Sequence, residues 1–279
     1  MTTSSELIVI TGASTGIGAA TARELAGRGY HVLAGVRREQ DAPSAPNIEP
    51  AILDITDPAQ VEALAAKVGH TPVKALINNA GIAVNAPVEA LPLSEWRRQF
   101  DVNLFGHIAV TQALLPALLR SAGRIVNISS IGGRIALPTY GAYAGTKFAL
   151  EAVSDALRRE LAPHGVKVVI VQPGGVKTEM TSRATTLVNQ LAANMTAEQN
   201  DRYDPLVQAI ISHSAAFTKA GRTAAQAAKV VAKAATDRKP RARYTIGRDA
   251  ALMTRLSRVL PDRVLDRVLA ADLKPHFPG

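Results

Sequence analysis

Glu6-Leu7-Ile8-Val9-Ile10-Thr11-Gly12-Ala13-Ser14-Thr15-Gly16-Ile17-Gly18 is the stretch that decides the fold. Its first half is a short, β-branched apolar run, the pattern of a strand buried on both faces. The run passes directly into three glycines spaced Gly-x-x-x-Gly-x-Gly, and an Ala-rich helical stretch follows to about Gly27. Strand, glycine turn and helix in that order make a phosphate cradle, because free N–H groups and the helix dipole both favour an anion at a helix N-terminus. Gly12 is expected to make the tight turn, Gly16 to let a pyrophosphate approach, and Gly18 to allow close helix–strand packing. The spacing is not Gly-x-Gly-x-x-Gly, the usual dinucleotide fingerprint, and a purely structural glycine turn is the alternative.

Outward from this unit the strand-and-helix pattern repeats. Tyr30 to Val36 reads as a second strand, followed at once by Arg37-Arg38. In doubly wound folds an acid at this place accepts from the adenine ribose, whereas an arginine suits a 2′-phosphate. No acid stands here and two guanidiniums do, so Arg37 and Arg38 predict NADP(H) over NAD(H); two solvated loop arginines are the alternative. A Pro-containing loop covers Ala42 to Pro50, Ala51 to Asp54 reads as a third strand, and Asp57-Pro58 caps a helix to Val68. Asp54 is either an ordinary loop aspartate or an acceptor for the adenine amino group. Lys74 to Ile77 is a fourth strand ending in Asn78-Asn79-Ala80-Gly81, whose small residues either make a turn or let the backbone lie against a ribose. Ser94 is placed as the cap of a long helix from Glu95 to Arg120, and Asn103 interrupts its apolar face. A buried amide must satisfy its hydrogen bonds, so Asn103 is either structural or positions a water or a lysine of the site. Gly123 to Ile128 and Val166 to Val171 read as the fifth and sixth strands, the latter delivering Gln172-Pro173-Gly174-Gly175-Val176-Lys177-Thr178. Each of these loops follows a strand, so all gather on the carboxyl edge of a parallel sheet, where ligands of open α/β folds bind.

A second organising stretch is Tyr140-Gly141-Ala142-Tyr143-Ala144-Gly145-Thr146-Lys147, with Ser129-Ser130 upstream. It opens a helix running to about Ala162, and Tyr143 and Lys147 stand four residues apart, on one face and one turn removed. An ammonium there favours the phenolate. Holding a tyrosine near neutrality rather than near ~10 takes roughly 4 kcal/mol. One lysine does not supply all of that, so a second positive charge is implied, and an oxidised nicotinamide ring carries one.

The 279 residues suit a single α/β domain, and 47% hydrophobic content is ample for one large core. Without cysteine there is no disulfide framework and no thiolate metal site, and no metal is expected. Met1 to Ser5 is short and polar and the apolar run after it has a strand's length, which is not a signal-peptide pattern. No apolar run is expected to reach the ~18–20 residues of a membrane span. The net charge of +9 is scattered among acids, and 4% aromatic content is poor for base stacking, so no nucleic-acid partner is expected. From Glu179 to Arg222 periodicity weakens, as in a functional lid. Thr223 and Gln226 form a capping-box pattern for a helix to about Ala235, and Arg241 to Gly247 suits a final strand. The tail from Ala250 sets Leu252, Met253, Leu256, Val259 and Leu260 among arginines. It either packs on its own domain or a partner subunit, or lies on a membrane surface.

Together these residues resemble the short-chain dehydrogenase/reductase family. The resemblance covers roughly Glu6 to Thr178 and rests on Thr11-Gly12-Ala13-Ser14-Thr15-Gly16-Ile17-Gly18, Asn78-Asn79-Ala80-Gly81, Ser130 with Tyr143-x-x-x-Lys147, and Pro173-Gly174. Tyr143 to Val176 and the tail motif Arg243-Tyr244-Thr245-Ile246-Gly247-Arg248-Asp249-Ala250 look like the retinol and hydroxysteroid dehydrogenase branch. The cysteine often found near the active-site helix of the retinol enzymes is absent, and Arg37 resembles the NADP-preferring hydroxysteroid enzymes. The resemblance implies an α/β, doubly wound parallel sheet of Rossmann type in one domain over 1–279, with a helical substrate lid at about 179–222 and an amphipathic tail at about 250–279. It makes Tyr143 the general acid/base, with Lys147 lowering its pKa and holding the nicotinamide ribose, Ser130 holding the substrate oxygen, and Asn103 supporting a water-linked proton path through Lys147. Cofactor contacts are placed on Gly12, Ser14, Thr15, Gly16, Ile17, Gly18, Arg37, Arg38, Asp54, Ile55, Asn79, Ala80, Gly81, Tyr143, Lys147, Pro173, Gly174, Val176 and Thr178. The expectation is an NADP(H)-dependent (alternatively NAD-dependent) oxidoreductase acting on a hydroxyl or carbonyl of an apolar small molecule, such as a steroid, retinoid or other lipid-like compound. A reductase of acyl-carrier or small ketone substrates, a non-catalytic NADP(H) sensor, and a membrane-surface scaffold are the competing readings. A homodimer or homotetramer is expected, in the cytoplasm or peripheral to a membrane.

Overall fold

The computed structural model describes residues 6–278. Met1–Ser5 and Gly279 lie outside the described residues, as does the side chain of Asp249 in the tail motif. The strands are β1 (Leu7–Ile10), β2 (His31–Val36), β3 (Ile48–Ile52), β4 (Val73–Asn78), β5 (Arg124–Ile128), β6 (Lys167–Pro173), β7 (Val176–Lys177), β8 (Arg222–Thr223) and β9 (Arg243–Ile246). The helices are α1 (Gly16–Gly27), α2 (Pro58–Val68), α3 (Leu93–Phe100), α4 (Gly106–Arg120), α5 (Gly141–Leu161), α6 (Glu179–Ala193), α7 (Ala197–Ala220), α8 (Ala224–Thr236), α9 (Arg248–Val259) and α10 (Asp262–Leu273). Seven strands form one sheet in the order β3-β2-β1-β4-β5-β6-β9, every neighbouring pair parallel. The order reverses between β1 and β4, which opens a crevice at their carboxyl ends.

Helices cover both faces of the sheet, which explains the unbroken apolar strands. Ile8 and Ile10 pack with Ala22 and Leu25 of α1 and Ala227 and Val231 of α8. Leu7 and Val9 point the other way, against Val61 and Leu64 of α2 and Val110 and Leu114 of α4. Ile8 and Ile10 are fully buried, so truncating either to alanine costs about 2–5 kcal/mol.

Several boundaries differ from the sequence reading for identifiable reasons. The third strand begins at Ile48 rather than Ala51, because β3 is an edge strand and an edge accommodates Pro50. Ser94 does not cap the long helix; α3 starts two residues earlier, at Leu93 with Pro92 at the N-cap, and Ser94 lies in the first turn. The long helix is interrupted by a π-helical turn at Asp101–Phe105 that carries Asn103. The run Leu93–Arg120 has 28 residues, and an 18-residue stretch within it has a mean hydropathy of 1.5, so by length and composition alone it reaches a membrane span, contrary to expectation. Its α4 part packs on β4 and α2 inside the core, which accounts for its apolar face. The weakly periodic stretch after Glu179 forms α6 and α7, so the expected lid segment is helical. A capping box at Thr196 and Gln199 starts α7, as one at Thr223 and Gln226 starts α8. Asp57 caps α2 as expected, accepting from the backbone N–H groups of Ala59 and Gln60.

Candidate active site

The loops after β1, β2, β3, β4, β5 and β6 converge on a cavity of about 620 Å³. On one side lies the glycine turn. Gly12 and Gly16 have φ of +64° and +57°, the left-handed region that glycine adopts without cost. A Cβ on Gly12 would stand 2.7 Å from the Ala80 backbone, and one on Gly16 would stand 3.2 Å from the Thr178 side chain. A Cβ on Gly18 would strike the Gly12 carbonyl just past β1 and the Asn79 amide just past β4, so its lack of a side chain allows α1 to approach the strand ends closely. Gly12, Ser14, Thr15, Gly16 and Ile17 line the cavity, whereas Gly18 lies behind it. Thr15, the N-cap of α1, makes no side-chain capping bond, and the first turn holds no acid, which leaves the positive end of the helix facing the cavity. Asn79 ties β4 to the turn, its Nδ2 donating to the carbonyls of Thr11 and Gly12 at 3.0 Å each. These features fit the phosphates of a dinucleotide.

Arg37, Asp54, Ile55, Asn79, Ala80, Gly81, Pro173, Gly174, Val176 and Thr178 all line the same cavity. Asp54 accepts from Thr56 N and Oγ1 at 3.0 and 2.7 Å. Arg38 does not line the cavity: its guanidinium pairs with Asp41 at 2.8 Å and points to solvent. Of the two arginines, the structure brings only Arg37 to the cavity.

Ser130, Tyr143 and Lys147 meet at the cavity floor. Ser130 ends the loop after β5, and its Oγ accepts from Gly132 N at 3.0 Å, which fixes its orientation. Lys147 donates from Nζ to the Ile128 carbonyl at 3.0 Å and stands 5.9 Å from the Tyr143 ring centroid. Burial pulls the Lys147 ammonium down to about 8, with Glu151 opposing. Burial pushes the Tyr143 phenol up, against a hydrogen bond from Ser130 that favours the phenolate. The lysine therefore sits beside the ring without offsetting the burial of the phenol, and the protein alone does not poise Tyr143 near neutrality. The need for a second positive charge is sharper than the spacing suggested.

Asn103 is fully buried and does not line the cavity. Its Oδ1 accepts from Ile82 N at 2.9 Å, and its Nδ2 donates to Ile82 O at 2.9 Å and Thr146 Oγ1 at 3.2 Å. Thr146 in turn donates to the Tyr143 carbonyl at 2.7 Å. Both amide hydrogens are thus committed to splinting the loop after β4 onto α5, and the side chain makes no bond to Lys147.

Two supporting residues were missed in the sequence. His107, one turn after Asn103, bonds the Ala80 carbonyl through Nε2 at 2.6 Å, and burial lowers its pKa to about 3, so it is neutral. Glu151, one turn after Lys147, is buried and accepts from Arg134 at 2.8 Å, Arg243 at 2.9 Å and Gln172 at 2.8 Å. Burial opposes ionisation of neighbouring Asp155, yet hydrogen bonds from Arg243 and Arg158 hold it at about 2.

The far wall is mostly apolar. Ile82, Ile131, Ile135 and Leu137 face Val188 of α6, Ile210 and Phe217 of α7, Met253 of α9 and Leu269 of α10. The C-terminal helices therefore pack on their own domain and complete the cavity, with Leu273 buried against Ala209 and Ile210.

A family model described as short chain dehydrogenase matches residues 6–188. An NADPH-dependent 3-dehydrocapnine reductase of Ornithobacterium rhinotracheale is 34% identical, over 95% of this chain and 96% of its own. Retinol dehydrogenase 5 of Mus musculus is 37% identical, over 95% and 88%. Among solved structures, a short chain dehydrogenase from Burkholderia cenocepacia J2315 in complex with NADP superposes with a TM-score of 0.74 at 28% identity, covering 98% of this chain and 99% of that one.

Proposed function

The chain belongs to the short-chain dehydrogenase/reductase family, and from that premise we propose an NADP(H)-dependent oxidoreductase that interconverts a hydroxyl and a carbonyl on an apolar small molecule. The observation that carries this reading is the meeting of Ser130, Tyr143 and Lys147 on the floor of a cavity whose one wall is a glycine cradle and whose other wall is apolar. Gly12, Thr15, Gly16 and the N-terminus of α1 would hold the pyrophosphate, Arg37 the 2′-phosphate, and Asp54 the adenine end. When bound there, NADP(H) would supply the hydride chemistry, and its oxidised form would add the second positive charge that Tyr143 calls for. Ser130 orients the substrate oxygen. Tyr143 donates a proton to that oxygen in reduction or takes one from it in oxidation. Lys147, anchored on the Ile128 carbonyl, keeps a cation next to the phenol. Asn103 and Thr146 hold the loop and the helix in register. The helices α6 and α7 serve as the substrate lid.

NADPH dependence in the capnine-forming relative and bound NADP in the Burkholderia structure support the cofactor choice beside the cavity-facing Arg37. The retinol dehydrogenase relative and the apolar far wall support a lipid-like substrate. A steady-state screen of steroids, retinoids, fatty alcohols and small ketones with both cofactors tests the reading. Turnover of a lipid-like compound with NADP(H) preferred is the expected result; a preference for NAD(H), or turnover of small ketones alone, contradicts it.

A further inference from the structure

Asn85 lines the cavity, is only 4% exposed, and has an Oδ1 with no hydrogen-bond partner. Among the described residues no hydrogen bond reaches its Nδ2, and of the two amide atoms only Oδ1 is sealed from solvent. A buried amide without partners is a standing cost that native folds avoid unless something else uses the group. The position is not loose. On one side Val84 exchanges two 3.0 Å hydrogen bonds with the Gln99 side chain, and on the other Ala86 N donates to Thr139 O at 3.0 Å. Val84 and Ala86 are themselves buried in a small apolar cluster with Leu91 and Ala142. The backbone is therefore clamped on both sides while the amide between the clamps is left unsatisfied.

The segment that Ala86 pairs with is also under tension. Thr139 is β-branched yet has a φ of +67°, and its buried Oγ1 lacks a partner as well. Such conformations persist where the surroundings impose them, and they gather at functional sites. Thr139 leads into Tyr140, whose ring stands 6.2 Å from that of Tyr143, so this crossing lies beside the reacting centre. Several other polar groups that line the cavity are already occupied. Tyr140 shares a 2.6 Å hydrogen bond with Ser214, His213 pairs with Asp272 at 2.9 Å, and Arg98 pairs with Glu95.

We propose that Asn85 is a substrate-recognition residue whose amide hydrogen-bonds a second hydroxyl group on the substrate, distinct from the oxygen that reacts at Tyr143. The inference rests on the oxidoreductase reading above and narrows it. The preferred substrate is a diol or hydroxyketone on an apolar body, not a lipid-like molecule with a single polar end. A site with a waiting amide discriminates strongly against an analogue lacking the hydroxyl, because that analogue leaves the amide buried and unpaired.

The test uses full-length protein loaded with NADP(H), and the variants Asn85→Leu and Asn85→Val. The probes are androstan-3-one and a set of its singly hydroxylated derivatives, with the hydroxyl at ring positions spanning the molecule. Binding is read by calorimetry, turnover by NADPH absorbance, and the melting temperature of ligand-free protein by circular dichroism. Wild type should bind at least one hydroxylated probe tenfold or more tighter than the parent. Both variants should erase that difference while binding the parent within about twofold of wild type. Their ligand-free melting temperatures should hold or rise, since an unsatisfied polar atom has been replaced by an apolar one. A fall of more than about 3 °C in both variants makes the amide structural and overturns the proposal. So does a wild type indifferent to the hydroxyl, or a preference that survives in the variants. Failure of the underlying oxidoreductase reading shows separately, as absence of turnover with either cofactor in the same samples.

Discussion

Replacing Glu151 with leucine tests how far the buried network behind Lys147 supports the site. The carboxylate is buried and accepts from Arg134 and Arg243 on one oxygen and from Gln172 on the other. Leucine has a similar volume but leaves Arg134 without its ion pair and Arg243 with Asp155 alone. Removing one partner of a buried pair costs about 3–5 kcal/mol. A chain of this length has an unfolding entropy of about 0.6 kcal/mol/K, so the melting temperature should drop by about 5–8 °C. A second effect reaches the chemistry. Glu151 is the group that holds the Lys147 ammonium up against burial, so without it the lysine should lose its proton below its present value of about 8. The alkaline limb of the rate profile, where Lys147 turns neutral, should move to lower pH. Thermal melts and a pH–rate profile between pH 6 and 10 decide the matter. A loss of less than about 1 °C together with an unshifted limb refutes the reasoning.

Gly12→Ala should abolish cofactor binding measured by NADPH fluorescence, since its Cβ would lie 2.7 Å from the Ala80 backbone and its φ is +64°; binding within twofold of wild type contradicts the cradle. Arg37→Asp should weaken NADP(H) by about ten- to a hundredfold and leave NAD(H) nearly unchanged, whereas equal effects on both cofactors remove the 2′-phosphate assignment. Lys147→Met should raise the melting temperature at pH 7. The buried ammonium has a folded pKa of about 8 against an ordinary 10.5, so wild-type stability grows as pH rises between those values and the variant's advantage should shrink over the same interval. A variant less stable than wild type at pH 7, or an advantage that does not change with pH, counts against the burial cost.

The parts of the fold that were readable in advance are those where one local signal has one cause. β1 is buried on both faces, so its residues are apolar without alternation, and Gly12 and Gly16 after it sit where positive φ demands them. Asp57 and Thr223 announce helix starts because their side chains do the capping. The stretch after Glu179 was harder. In α7 the buried residues are Val207, Ala209 and Ile210, so most of the helix writes no apolar stripe, although the Thr196–Gln199 capping box was there to be read. Tyr143 and Lys147 declare themselves by their spacing on one helix, and Glu151 extends that face by one more turn. Its partners Arg134, Gln172 and Arg243 come from three distant segments, which no local pattern brings together. Arg37 and Arg38 are indistinguishable in sequence; only the turn back to Asp41 sends one of them away from the cavity. Asn103 marked itself as a polar residue on an apolar face, but the π-helical turn that carries it and its bonds to Ile82 were visible only in three dimensions.

The central claim is that Tyr143 transfers the proton while the cofactor site stands independently of it. The direct measurement is turnover of Tyr143→Phe beside its NADPH affinity, using the best substrate of the wild-type screen. The account predicts that turnover is abolished and the dissociation constant stays within about threefold. Residual activity within tenfold of wild type would contradict it.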